Sequence, residues 1–243
     1  MSPRAIKVYD GVTGTYIKDF SSTGALDFTF DAGGNMYAVD NANVKKYDVG
    51  GNLLRAYTDG VSTPEGIALS PQGHLLVTNS LDGAYRNTVT DLDPSNGSFT
   101  TFATCLGEPV GIIAGPDGRY YLANSTFANS YGGANPDTIQ VVGASGGASS
   151  TWNLGGGLYG ASYLAFAGNQ LFVTSFLNGT VQVFDGTTGA SLGAFAASSY
   201  PLGIAYRAAP VPESPALVLS AIGVFAVLPW AHRRPKARGR AAT

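Results

Sequence analysis

Residues 33–40 read GGNMYAVD, and this stretch decides the fold because it recurs three more times along the chain. The other copies are QGHLLVTN at 72–79, DGRYYLAN at 117–124 and GNQLFVTS at 168–175. Their glycines Gly34, Gly73, Gly118 and Gly168 stand 39, 45 and 50 residues apart. A period of about 40 to 50 residues built from short apolar segments is typical of β-propeller blades. The spacing therefore predicts an all-β protein, a β-propeller.

Two further elements accompany each copy. A short apolar segment before the glycine turn predicts the innermost strand of a blade, and a polar-apolar alternation after it predicts an outer hairpin. Five blades are counted directly, and six are possible if residues precede Met1. The predicted inner strands are residues 26–30, 64–69, 109–114, 162–166 and 201–206, and the clearest outer hairpins are 6–20 and 181–195.

The two ends of the repeat region predict one composite blade. The chain opens with an outer hairpin, whereas the repeats close near Tyr206 with an inner strand. Joining them closes the ring and leaves no open sheet edge. A second-strand sequence is found neither before Ile6 nor after Arg207. We therefore expect the 1–207 region to be truncated at its N-terminus, with a signal peptide and the absent strand encoded upstream.

Composition and charge narrow the function classes. The chain has 243 residues with 33 glycines, and only 12% of them are charged. Outside the tail described below, 9 Lys and Arg stand against 15 Asp and Glu. An acidic body is a poor partner for phosphate backbones, so nucleic acid is excluded as the main target. The single cysteine, Cys105, is expected to be a small buried residue.

The repeats resemble those of the NHL and gluconolactonase-like propellers over about residues 5–207. Those families share the pattern Pro-x-Gly-Ile-Ala, then Gly-x-Leu-Tyr-Val-x-Asn, then Val-x-x-Tyr-Asp-x-x-Gly. The resemblance is specific for the fold and says little about activity, because one fold hosts many functions.

Residues 208–243 differ abruptly in composition from the repeats. An uncharged segment at 216–230 predicts an apolar helix of about 22 Å, a short membrane anchor, and a basic cluster follows at 233–240. The positive-inside rule places that cluster in the cytoplasm and the propeller outside it. A buried capping helix is the alternative, but it would be amphipathic. The anchor's basic residues are Arg233, Arg234 and Lys236.

The order of a Pro-Glu motif, an apolar helix and Arg-Arg resembles the PEP-CTERM sorting signal of Gram-negative bacteria. The matching motif residues are Val211, Pro212, Glu213 and Pro215, with Ser214 standing where a second Pro usually falls. The resemblance implies that an exosortase-type enzyme processes the tail. It also implies an inner-membrane anchor on the periplasmic side of the cell envelope, followed by a surface or extracellular location.

Candidate site residues lie at the ends of the second strands. Asp40, Asn79 and Asn124, with Glu65 beside an inner strand, offer oxygen ligands for Ca²⁺. Gluconolactonase-like enzymes hold a divalent metal with such a set. The competing interpretation is that Asn and Asp close strand ends through hydrogen bonds to nearby groups.

The sequence lacks the side chains for nucleophilic hydrolysis, since its two histidines, His74 and His232, lie in a hairpin turn and in the basic tail. We therefore expect a non-catalytic, exported binding or scaffold module without a cofactor, with extracellular polysaccharide or protein as its partner. The alternative is a divalent-metal-dependent lactonase or lyase.

Overall fold

The protein is described by a computed structural model that covers residues 6–10, 13–20, 24–40, 42–80, 83–105, 107–125, 137–147, 149–153, 157–197, 201, 203–205 and 217–220. These residues contain nineteen strands and no helix. The first two strands are β1 (Ile6–Tyr9) and β2 (Tyr16–Phe20), which pair as the hairpin predicted at 6–20.

Four antiparallel sheets of four consecutive strands follow, here numbered I to IV, and the first strand of each is its inner strand. Sheet I contains β3 (Asp27–Phe30), β4 (Met36–Val39), β5 (Val44–Tyr47) and β6 (Leu53–Tyr57). Sheet II contains β7 (Pro64–Leu69), β8 (Leu75–Asn79), β9 (Thr88–Leu92) and β10 (Phe99–Thr104). Sheet III contains β11 (Glu108–Ala114), β12 (Tyr120–Ser125), β13 (Thr138–Val142) and β14 (Ser149–Asn153). Sheet IV contains β15 (Ala161–Ala167), β16 (Gln170–Ser175), β17 (Thr180–Asp185) and β18 (Ser191–Ala197).

Glycine turns join each inner strand to the second strand, as predicted. The φ angles of Gly34, Gly73, Gly118 and Gly168 are 79°, 85°, 78° and 60°. Glycine adopts this left-handed conformation without the steric cost that a Cβ brings. The repeated glycine of the sequence is thus explained by the backbone of the turn.

A fifth, three-stranded composite sheet has the order β19-β1-β2, where β19 is Leu217–Ser220. β19 pairs antiparallel with β1, and Lys7 lies opposite Leu219. It thereby takes the second-strand position that the sequence left empty. These four residues belong to the segment predicted as an apolar helix, and they supply a second strand that the sequence did not reveal after Arg207. The strand covers an edge of β1 that would otherwise be unpaired.

The remaining residues of the predicted helix at 216–230 lie outside the described ranges. So do the motif residues Val211, Pro212, Glu213 and Pro215 and the basic residues Arg233, Arg234 and Lys236. Within the ranges given above, no helix has the length and apolar character needed to cross a membrane.

Among the described residues the core forms four clusters, one between each pair of sheets that follow one another in the chain. The clusters are centred on Met36 between the composite sheet and sheet I, Leu75 between I and II, Leu122 between II and III, and Tyr121 between III and IV. The inner strands β3, β7, β11 and β15 contact one another in chain order. Each sheet therefore packs face to face against the next, and the inner strands line one shared space.

The structure differs from the prediction of a fifth inner strand at 201–206. Its described residues, Pro201 and 203–205, form no strand. Ile204 nevertheless lines the same central cavity as the four inner strands. That cavity is the central channel of the molecule.

Candidate binding site at the mouth of the central channel

One end of the channel is where the inner strands begin and the second strands finish; we call it the channel mouth. The strand register brings sequence-predicted residues to it from neighbouring sheets. Pro64 lies opposite Asn79 in sheet II, and Pro109 lies opposite Asn124 in sheet III. Glu65 and Glu108, which adjoin these prolines, therefore lie at the mouth as well.

Asp40 and Asn79 are engaged within their own sheets. The Asp40 carboxylate lies 2.5 Å from Lys45 Nζ and accepts the backbone N–H groups of Ala42 and Asn43. Asn79 is fully buried, its Oδ1 accepts the Ser62 N–H at 2.8 Å, and its Nδ2 donates to Thr90 Oγ1 at 2.9 Å. These contacts are those expected of residues that close strand ends.

Asn124 differs from Asn79 although it occupies the matching position. Its Nδ2 donates to Gln140 Oε1 at 3.1 Å, but its buried Oδ1 accepts no hydrogen bond from any residue that the structure describes. An unsatisfied buried carbonyl oxygen costs free energy unless a ligand or water occupies its lone pairs. Of the four residues predicted to hold a metal, Asn124 has the oxygen best placed to accept a further partner.

Two carboxyl groups from neighbouring sheets lie near each other at the mouth. The pKa of Glu65 is raised, first by burial and then by the negative charge of Glu108. Glu108 itself is buried, and its Oε1 lies 3.9 Å from Arg86 Nη2. A partly buried carboxyl beside a second carboxyl can accept a hydrogen bond from a hydroxyl or bind a cation.

Sequence reasoning identified Glu65 but missed Glu108 and Arg86. The position before Pro109 matches Thr63 in sheet II, so an alignment of the repeats could have marked Glu108 as a departure from them. Arg86 belongs to a loop outside the repeated pattern. No group of three or more His, Cys, Asp or Glu side chains converges as a metal site in the described part of the chain.

Deeper in the channel, one residue of each inner segment occupies the same register position. We call these five residues the glycine layer, because three of them are glycine; they are Asp27, Gly66, Gly111, Tyr163 and Gly203. A Cβ on Gly66 would lie 2.3 Å from Val110 O, and one on Gly111 would lie 2.2 Å from Ser162 O. At these two points neighbouring inner strands touch backbone to backbone, so a side chain there is excluded.

Asp27 and Tyr163 break the symmetry of this layer. Asp27 Oδ2 accepts the Ile67 N–H from the next sheet at 3.0 Å, and Oδ1 accepts the Phe28 N–H at 2.8 Å. Burial raises the pKa of the Asp27 carboxyl to about 7, although both N–H groups lower it. The Tyr163 hydroxyl donates to Leu26 O at 2.6 Å, which links sheet IV to sheet I.

Neither a protein-family model nor a curated protein matches the sequence. Solved structures do match. A streptogramin B lyase structure aligns with a TM-score of 0.60 at 15% identity, over 79% of this chain and 62% of that one. The virginiamycin B lyase of Staphylococcus aureus aligns with a TM-score of 0.58 at 16% identity, over 75% and 60%. The chain folds as a β-propeller.

A third similar structure, a nidogen/laminin complex, aligns with a TM-score of 0.53 at 15% identity, over 80% of this propeller and 93% of that chain. The propeller spans about three fifths of the length of the two lyases. Identities this low show the fold alone, because one fold carries many activities. The composite sheet and sheets I to IV are the blades that the repeats predicted.

Proposed function

We propose that this chain is an exported β-propeller binding module that takes an extracellular polysaccharide or protein at the channel mouth. The observation that carries the proposal is the hydrogen bonding of Asn79. Its amide oxygen and its amide nitrogen both bind partners inside its own blade. A mouth whose second-strand ends are held by internal hydrogen bonds is a rigid frame. Rigid frames that present varied loops are typical of binding surfaces.

Glu65 is the side chain of this mouth that we assign to recognition. It is only partly buried and makes no ion pair among the described residues. A carboxyl of raised pKa beside a second carboxylate has free lone pairs for sugar hydroxyls or for backbone N–H groups. The site therefore favours uncharged hydrogen-bond donors over anions.

The experiment measures retention of the purified chain on immobilised extracellular polysaccharide from a Gram-negative host. Glu65→Gln is expected to weaken binding about fivefold or more, whereas Asp48→Asn, which changes a carboxyl in an exposed turn, leaves it unchanged. Equal binding by both variants, or none by the unchanged chain, refutes recognition at Glu65.

Sorting of the chain through its tail is part of the same proposal and rests on the sequence alone. An exosortase-type enzyme would release the chain from the inner membrane near Glu213. The intact mass of protein from membranes and from culture supernatant tests this. A supernatant form that lacks the residues after about Glu213 supports sorting, and a single unprocessed form in both fractions refutes it.

The alternative is a divalent-metal-dependent lactonase or lyase, which Asn124 Oδ1 and the Glu65–Glu108 pair favour. The four-residue set fits a metal only in part, because Lys45 neutralises Asp40 and the Asn79 oxygen already accepts a hydrogen bond. Calorimetric titration with Ca²⁺ tests the alternative. Saturable binding that Asn124→Ala abolishes supports it, and no heat in the unchanged chain refutes it.

A further inference from the structure

The central channel contains a cavity of about 320 Å³ between the inner strands. Its walls are mostly apolar and include Phe28, Ile67 and Leu164. Asp27 and Tyr163 are the ionisable side chains among its lining residues. A cavity of this size, apolar with few polar groups, is typical of a site for a small molecule.

Asp27 is unusual because its carboxyl lies in this apolar cavity without a cation. No lysine, arginine or histidine among the described residues forms an ion pair with it. The N–H groups of Ile67 and Phe28 fix both oxygens in place, one hydrogen bond to each. Each oxygen keeps a further lone pair, since a carboxylate oxygen accepts about two hydrogen bonds.

Asp27 places a carboxyl at a position of the glycine layer where the next two blades have glycine. Gly66 and Gly111 occupy the same position in the next two blades, and those blades contact their neighbours without a carboxylate. Burying a carboxyl costs free energy unless it is paired. The Asp27 carboxyl links sheet I to sheet II through the Ile67 N–H, and its remaining lone pairs are available to a ligand in the cavity.

We propose that the channel cavity binds a small organic cation, a primary ammonium on an aromatic or aliphatic body, with the ammonium group against Asp27. This goes beyond the proposed function, because it names a ligand for a second site, deeper in the channel than Glu65. The ammonium supplies the charge that the carboxyl lacks, and the walls around Phe28 and Leu164 bury the body. A single carboxylate offers too few oxygens for Ca²⁺, and it repels anions.

The test titrates the full chain with 2-phenylethylammonium and with its neutral analogue 2-phenylethanol, using calorimetry. Asp27→Asn keeps the shape of the side chain and removes the charge, and Asp48→Asn is the matched control in an exposed turn. We expect Asp27→Asn to weaken binding of the ammonium about tenfold or more, and Asp48→Asn to leave this binding unchanged. Neither substitution is expected to change the affinity for the alcohol. If Asp27→Asn changes the affinity for the ammonium by less than twofold, the proposal is overturned.

A second measurement follows the pH dependence of ammonium binding. Of the titratable groups on the inner strands, Asp27 and Tyr163 line the cavity, and Glu65 and Glu108 lie at the mouth. Ionisation of Asp27 is expected to raise ammonium affinity about tenfold between pH 6 and pH 8. Glu65→Gln is expected to keep this increase, which separates Asp27 from the mouth. An ammonium affinity that Asp27→Asn leaves unchanged at both pH values overturns the proposal.

The two proposals fail separately. If the chain binds polysaccharide through Glu65 but does not bind the ammonium, only the proposal of an organic cation in the cavity is refuted. Ammonium binding that depends on Asp27, without polysaccharide or protein binding, removes the proposed partner and leaves the cavity site standing.

Discussion

The hydroxyl of Thr78 donates a hydrogen bond of 3.0 Å to the carbonyl oxygen of Val110, and the two residues belong to neighbouring blades. The same hydroxyl oxygen accepts the Gly66 N–H at 2.7 Å. One buried side chain thus satisfies a backbone donor in its own blade and an acceptor in the next.

Thr78→Val is expected to lower the free energy of unfolding by about 1–3 kcal/mol, because it leaves the Gly66 N–H and the Val110 carbonyl without this partner. Urea denaturation measures the change. The exposed strand residue Thr101 provides the control, and Thr101→Val is expected to stay within about 0.5 kcal/mol of the unchanged chain. Equal effects of the two substitutions would contradict the role of Thr78 as a link between blades.

Gly111→Ala is expected to destabilise the protein by about 2–3 kcal/mol, because the added Cβ would lie 2.2 Å from Ser162 O and must push two inner strands apart. Gly143→Ala is the control, since its Cβ would have no atom closer than 4.0 Å. Thermal and urea unfolding measure both. A Gly111→Ala protein as stable as the control would show that the glycine layer tolerates side chains.

Asp27 makes stability depend on pH. Its pKa is about 7 in the folded chain against an ordinary value of 3.8, so the folded state holds an extra proton between about pH 4 and pH 7. The contribution of Asp27 to stability therefore falls as the pH rises through this window and is constant above it. Asp27→Asn has no proton to lose. From pH 5 to pH 8 the difference in unfolding free energy is expected to shift by about 2 kcal/mol in favour of the variant.

Asp48→Asn is the control for this pH series, because hydrogen bonds from Asn52 lower the pKa of the exposed Asp48 carboxyl. Its difference from the unchanged chain is expected to be flat from pH 5 to pH 8. Parallel curves for Asp27→Asn and the unchanged chain would show that Asp27 is ionised throughout.

Cys105 is a free, buried cysteine, as the sequence predicted, and burial raises the pKa of its thiol to about 12. Because the thiolate is the reactive form, Ellman's reagent at pH 8 is expected to modify the folded chain at least about a hundredfold more slowly than the chain in urea. Fast modification of the folded chain would contradict this burial.

Because β19 pairs with β1 in the composite sheet, we expect β19 to contribute to stability. A chain that ends at Arg207 is expected to unfold at a lower temperature and to show faster hydrogen exchange at the β1 amides, since Ile6 and Val8 lose their pairing partners. A chain that ends at Ser220 keeps β19 and serves as the control. Equal exchange in both chains would mean that β1 does not depend on the tail.

The repeat made much of this fold predictable. Each glycine turn, such as that at Gly73, has a local cause that the sequence displays, and the hairpin register follows from it. β19 was not predictable, because LVLS within an apolar run has no period that separates strand from helix. At the site, the sequence identified Asn79 and Asn124 through the repeat and Glu65 beside an inner strand, but it did not identify Glu108. The raised pKa of Asp27 arises from burial between strands distant in sequence, which no local pattern records.

The backbone contacts of the glycine layer also limit how the channel can be redesigned. Gly66 and Gly111 admit no side chain, so among sheets I to IV this level of the channel has two positions open to chemical variation, Asp27 and Tyr163. Directed changes of ligand preference at this depth reduce to a library of pairs at those two positions. Each change there also removes a hydrogen bond between blades, since Asp27 accepts the Ile67 N–H and Tyr163 donates to Leu26 O, so ligand preference and ring closure are varied together.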